Sequence, residues 1–254
     1  MQNVVFIGAG NVATHLSQAM KSEGFSIRQI FSRTDDSAIP LANICDCGYT
    51  TDIKKILPDA DIYIFSLKDD ILKEVIAKMS ANNGLWIHTA GSISIDIFSG
   101  YTERYGVVYP LQTLSKSRKT DFSKVPLFVE GCTNIVENEV YNIAATISEN
   151  VSRMASEKRK YLHLAAVFAC NFSNHMYSLS AQILKKQGID HQILQPLIDE
   201  TANKLYSMSP ESAQTGPAVR YDRNVIERHL SMLDDENMKK IYTIISESIH
   251  QNSG

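Results

Sequence analysis

Residues 4–16 read VVFIGAGNVATHL. An apolar run ends in Gly-Ala-Gly and passes directly into residues that favour helix. This leaves the chain few options. The run is a buried strand, a turn that glycine permits closes it, and a helix then packs back against it. The same grammar recurs downstream. The pattern predicts strands at 3–8, 27–32, 61–67, 85–91, 106–112 and 126–131, and a short last one in VSRMA. Helices are predicted at 11–23, 69–81 and about 134–149, with a short, late-starting helix across SAIPLANICDCG because of Pro40. Strands alternating with helices imply right-handed crossovers and a doubly wound, mostly parallel sheet of Rossmann type, in the α/β class.

After residue 156 the pattern changes. EKRKYLHLAAVFACNFSNHMYSLSAQILKKQ runs without Gly or Pro as far as Gly188, and Leu164, Phe168, Phe172, Leu179 and Ile183 recur at helical spacing. One long helix is expected there, with further helices at about 190–207, 222–233 and 235–251 around a loop at 209–222. The expected division is an α/β domain at 1–155 and an all-helical substrate and dimerisation domain at 156–254. A net charge of −3 without a basic tract argues against nucleic acid as a partner. No apolar run approaches the ~20 residues of a membrane span, and the first residues enter a strand rather than a signal peptide, so a cytoplasmic protein is expected. Cys45, Cys47, Cys132 and Cys170 read as reduced thiols. The histidines show no metal-ligand spacing, and no metal is expected.

The opening glycines carry the first functional reading. Gly8-Ala9-Gly10-Asn11-Val12-Ala13 is G-x-G-x-x-A between strand and helix. Gly8 allows the turn, Gly10 leaves room for a pyrophosphate, and Ala13 lets helix and sheet approach. Free N–H groups at the helix start then meet the phosphates. At the end of the second strand, where an NAD site carries Asp or Glu, this chain has Ser32-Arg33-Thr34. A guanidinium and two hydroxyls suit the 2′-phosphate of NADP, although Asp35 or Asp36 can still reach a ribose. Ser66, Leu67 and Lys68, and likewise Thr89, follow two further strands at carboxyl ends, where open α/β sheets bind ligands.

Taken with SLKDD, HTAGS, YPLQT and TGPAVRYD, these motifs resemble the Rossmann proteins related to pyrroline-5-carboxylate reductase, ketopantoate reductase and 6-phosphogluconate dehydrogenase. The similarity spans essentially the whole chain. It is strongest to a branch described as NADP or deazaflavin-dependent oxidoreductases, with a helical domain of unknown function. The resemblance implies a homodimer whose helical domains help build the substrate site. One pattern of hydroxyacid dehydrogenases, Lys-x-x-x-Asn on the long helix, is absent, because Val167 stands four residues before Asn171.

Candidate chemical residues follow. His88, at a strand's carboxyl end, is the first choice of proton donor, since imidazole titrates near neutrality. Asn171, Asn174, His175 and Ser178 form a polar stripe at helical spacing that either lines a pocket or bonds neighbouring helices. His163 lies on the same long helix. Tyr109 and Gln112 close the strand expected at 106–112, where they can orient a substrate carbonyl or carboxylate. Arg220 either clamps an anionic substrate or belongs with Asp222 to a helix start. The expected activity is hydride transfer between NADP and a small polar carbonyl or imine substrate. The alternatives are hydride exchange between NADP and a deazaflavin, or a non-catalytic NADP sensor.

Overall fold

The computed structural model describes residues 1–252. Two compact units divide the chain, Met1–Asn171 and one from Phe172 onward. The first unit holds an eight-stranded sheet: β1 (Asn3–Ile7), β2 (Ser26–Phe31), β3 (Gly48–Thr50), β4 (Ile62–Phe65), β5 (Leu85–His88), β6 (Tyr105–Pro110), β7 (Leu127–Gly131) and β8 (Val151–Arg153). Its order is β3-β2-β1-β4-β5-β6-β7-β8. All neighbours are parallel except β6 and β7. The order reverses at β1, between β2 and β4. This is the switch point at which open α/β sheets leave a crevice beyond the strands' carboxyl ends.

Its helices are α1 (Asn11–Ser22), α2 (Asp35–Cys45), α3 (Asp69–Lys78), α4 (Asn134–Ile147) and α5 (Ser156–Ala166). The central strands are buried on both faces, as parallel sheets require. Val4, Phe6, Ile62, Ile64 and Ile87 pack with the apolar residues of α1, α2 and α4. Val5, Ile7, Tyr63, Phe65 and Trp86 pack on the other face with Leu72, Val75 and Ile76 of α3 and with Phe98.

Several boundaries differ from the sequence expectation. β3 was not anticipated, for three residues carry too little periodicity. Helix α2 starts at Asp35, ahead of Pro40 rather than after it. Pro40 and Asp36 are both exposed, so the Asp36 carbonyl that loses its helical partner faces water. The expected single helix after residue 156 is interrupted. A π-helical turn at Val167–Phe172 separates α5 from α6 (Ser173–Lys186).

The second unit comprises α6, α7 (Gln195–Lys204), α8 (Pro210–Ala213), α9 (Arg223–Ser231) and α10 (Glu236–Gln251). Its helices bury little. No residue of α6, α7 or α9 is buried, and large apolar side chains such as Ile193, Leu197, Tyr206, Met232 and Ile244 are exposed. Asp222 caps α9 by accepting from the Val225 N–H. No helix among the described residues is long and apolar enough to cross a membrane.

Candidate functional site

The glycine turn opens the carboxyl edge of the sheet. Gly8 has φ +116°, and a Cβ there would lie 2.2 Å from the Ser66 carbonyl oxygen. Only glycine lets the β1–α1 turn run this close to the end of β4. Gly10 differs, since a Cβ there would meet nothing within 4 Å. It is also the N-cap of α1, which no side chain caps. Open space thus stands before free N–H groups and the positive end of a helix dipole, a cradle that fits a pyrophosphate. Ala9 and Ala13 are buried beneath it, Val12 is half-buried, and Asn11 is exposed.

At the end of β2, the Ser32 N–H donates to Thr50 O, and the Thr34 hydroxyl donates to Ser37 Oγ at 3.1 Å. Arg33 is exposed. Lys78 first, and Arg33 more weakly, hold the Glu74 carboxyl of α3 below its usual range. Lys68 is the exposed N-cap residue of α3, after half-buried Ser66 and Leu67. The Thr89 hydroxyl donates to Ser66 Oγ at 3.2 Å and ties the loop after β5 to the loop after β4.

The expectation for His88 is corrected. Its side chain is fully buried, its Nδ1 accepts from the Ala90 N–H at 3.2 Å, and its Nε2 has no hydrogen-bond partner. Burial first, and then the Arg159 charge, lower its pKa to about 3. An imidazole sealed in this way cannot reach a substrate, and its lowered pKa keeps it from serving as an imidazolium acid at neutral pH. Asn171, Asn174, His175 and Ser178 of the polar stripe are all exposed. Exposed Gln112 turns its Oε1 back onto the Thr113 N–H at 2.8 Å. Arg220 is exposed, two residues ahead of the Asp222 cap.

Tyr109 and His163, named separately from the sequence, meet in space. The Tyr109 hydroxyl lies 2.9 Å from His163 Nδ1, and the rings form an edge-on pair with centroids 5.7 Å apart. Burial raises the Tyr109 phenol, with Arg159 pulling in the opposite direction. Sequence reasoning missed what fixes this pair. Arg159, one turn before His163 on α5, is fully buried; it donates to Glu130 of β7, to the Ile93 carbonyl and to Ser156 Oγ. A lone Arg in EKRKYL gives no sign of burial. The one available signal is Glu130, a carboxylate at the end of an apolar strand. Among the described residues, no group of three or more His, Cys, Asp or Glu could hold a metal.

Known proteins bear on this edge. Residues 3–97 match the family described as NADP oxidoreductase, coenzyme F420-dependent, and residues 125–249 match a domain of unknown function, DUF2520. No curated protein matches the chain. A Bacteroides fragilis structure with the provisional description NADP oxidoreductase is 46% identical, with TM-score 0.93 and coverage of 98% of each chain. An imine reductase from Myxococcus stipitatus in complex with NADP+ shares the fold at 12% identity, with TM-score 0.65 over 98% of this chain and 92% of that one. A 1-pyrroline-5-carboxylate reductase from Streptococcus pyogenes does so at 14% identity, with TM-score 0.66 over 99% and 98%. With its glycine cradle, doubly wound sheet and helical second part, this chain belongs to the NADP oxidoreductase family represented by the Bacteroides fragilis protein.

Proposed function

We propose that the protein binds NADP along the carboxyl edge of β1, β2, β4 and β5, and transfers hydride between its nicotinamide and a small polar carbonyl or imine. The observation that carries this reading is the pair of glycines: one required by the turn, the other guarding space in front of an uncapped helix. Gly8, Ala9, Gly10, Asn11, Val12 and Ala13 would hold the pyrophosphate. Ser32, Arg33 and Thr34 would hold the 2′-phosphate, and Ser66, Leu67, Lys68 and Thr89 would flank the cofactor further along the edge. The bound dinucleotide supplies the hydride, and the chain supplies placement and a proton. The names of two structural neighbours, an imine reductase and a pyrroline-5-carboxylate reductase, favour C=N substrates within this class. Asn171, His175, Gln112 and Arg220 remain candidates for substrate contact, each exposed.

The homodimer belongs to the same proposal. Monomers rarely leave so many large apolar side chains in water. Ile193 is 70% exposed, Tyr206 91% and Met232 72%, and a two-fold interface through the second unit would cover such residues. The test is a panel of cyclic imines, including 1-pyrroline-5-carboxylate, and of small oxoacids, incubated with NADPH and followed by its loss of absorbance. Reduction of at least one panel member supports the reading, and failure to bind NADP at all overturns it. A second reading, exchange of hydride between NADP and coenzyme F420, is favoured by the description of the matching family. Bleaching of oxidised F420 by NADPH in the presence of the protein would select it.

A further inference from the structure

We propose that His163 gives the substrate its proton, with Tyr109 behind it as the proton reserve. This rests on the hydride transfer proposed above and names its acid. Four observations converge on the pair.

The first is position. His88, the last residue of β5, pairs with Val107 of β6. β6 runs on through Pro110, so Tyr109 stands two residues, about 7 Å at strand rise, past the end of β5. That is the side of the sheet on which the glycine turn lies.

The second is continuity. Gly8 abuts Ser66, Ser66 bonds Thr89, and two residues after Thr89 the chain reaches Gly91. A Cβ at Gly91 would lie 2.7 Å from Cγ and Nδ1 of His163. The loop that would flank the cofactor therefore packs directly on the imidazole, and glycine is what lets it do so.

The third is the state of the ring. His163 is half-buried, its Nδ1 faces the Tyr109 hydroxyl, and its Nε2 has no hydrogen-bond partner among the described residues. When the tyrosine donates to Nδ1, the ring carries its proton on Nε2, the nitrogen that has no other task.

The fourth is rigidity. Arg159 ties α5 to β7 through Glu130 and to the loop after β5 through the Ile93 carbonyl. An acid held on a fixed helix is placed more sharply than one on a loop. The π-turn at Val167–Phe172 begins four residues after His163, and such turns recur at functional sites.

The chemistry balances. The substrate carbon receives hydride from NADPH, and the C=N or C=O π bond breaks toward nitrogen or oxygen. That atom takes the Nε2 proton. Nδ1 takes the tyrosine proton in turn, which leaves a transient phenolate that burial disfavours and the Arg159 cation only partly offsets. Nε2 then takes up a proton from bulk solvent, the one proton that each turnover consumes, and Nδ1 returns its proton to the phenolate, restoring the starting pair. His163 touches the substrate, whereas Tyr109 acts through His163 as a positioning residue.

The test combines histidine-ring nitrogen NMR with kinetics. The His163 signals are assigned by their loss in His163→Asn. In the wild type they are expected to show an Nε2–H tautomer, to move when NADP+ is added, and to lose the tautomer bias in Tyr109→Phe. On a panel member reduced by the wild type, His163→Asn should lower kcat by ~100-fold or more, the scale of general acid catalysis. Tyr109→Phe should lower kcat with KM little changed, and both variants should still bind NADP+. NADP+ binding that leaves the His163 ring signals unmoved overturns the proposal, as does an unchanged kcat in His163→Asn. Absence of NADP+ binding by the wild type instead overturns the oxidoreductase reading itself, so the two failures are distinguishable.

Discussion

Alanine substitution at the two glycines of the opening turn should separate folding from binding. At Gly8 the added Cβ lies 2.2 Å from the Ser66 carbonyl oxygen and 2.8 Å from its carbon, both backbone atoms, at φ +116°. A backbone in that region costs an L-residue about 1–2 kcal/mol, and displacing packed atoms costs typically ~1–3 kcal/mol more. The sum, about 2–5 kcal/mol, is a large part of the ~5–15 kcal/mol by which domains are stable. At ~2–4 °C per kcal/mol for a unit of this size, Gly8→Ala should melt roughly 4–20 °C lower. At Gly10 the Cβ meets nothing within 4 Å and the backbone is ordinary for an N-cap. Gly10→Ala should therefore keep its apo melting temperature within a few degrees while NADP affinity falls. Thermal melts without cofactor, paired with fluorescence titration of NADPH, measure both. Wild-type NADPH affinity in Gly10→Ala would refute the cradle, and a wild-type melt in Gly8→Ala would refute the close approach to Ser66.

Arg33→Ala should abolish a preference for NADP over NAD of about 10- to 150-fold, the worth of a charge-assisted bond of ~1.5–3 kcal/mol; equal wild-type affinities for the two cofactors would contradict this. Sedimentation at micromolar concentration should return a dimer mass, and a clean monomer would remove the explanation offered for the exposed apolar helices. His88 has a folded pKa lowered to about 3 from 6.5, so the unfolded chain binds its proton first as pH falls. Stability from this group is full above about pH 6.5 and is lost toward pH 3, at up to ~1.4 kcal/mol per pH unit. Urea melts of wild type and His88→Phe across this range should differ in slope, and parallel curves would count against the buried neutral ring. Arg159→Ala should destabilise by ~3–5 kcal/mol, since it leaves Glu130 without its cation; a change below ~1 kcal/mol in denaturant melts would mean that the pair does not hold α5.

The central strands and the glycine turn were legible because a continuous apolar run bounded by glycine has few alternative folds. The edge strand β3 was not, since Gly48–Thr50 is too short to show a period. Pro40 misled because its cost depends on whether the orphaned carbonyl reaches water, which the sequence does not show. His88 was misplaced for a related reason. The end of a strand is a boundary in sequence, yet the His88 side chain is fully buried, with the Phe98 ring packed 5.6 Å from it. Tyr109 and His163 could each be singled out, but their separation of 54 residues hides the bond between them.

The sheet's two outer strands bear on how copies of the chain meet. β3 has three residues, and β8 has three, of which Ser152 and Arg153 are exposed. A neighbouring molecule that tried to extend the sheet would gain only a few ladder bonds at either end. β8 also carries the exposed Arg153, whose guanidinium pairs with Glu137 and Asn138 of α4. Short, charged edges of this kind are how β-proteins block runaway strand-to-strand aggregation. The apolar helices are thus exposed without an open-ended strand template beside them, and any self-association that they drive would not be extended by strand pairing.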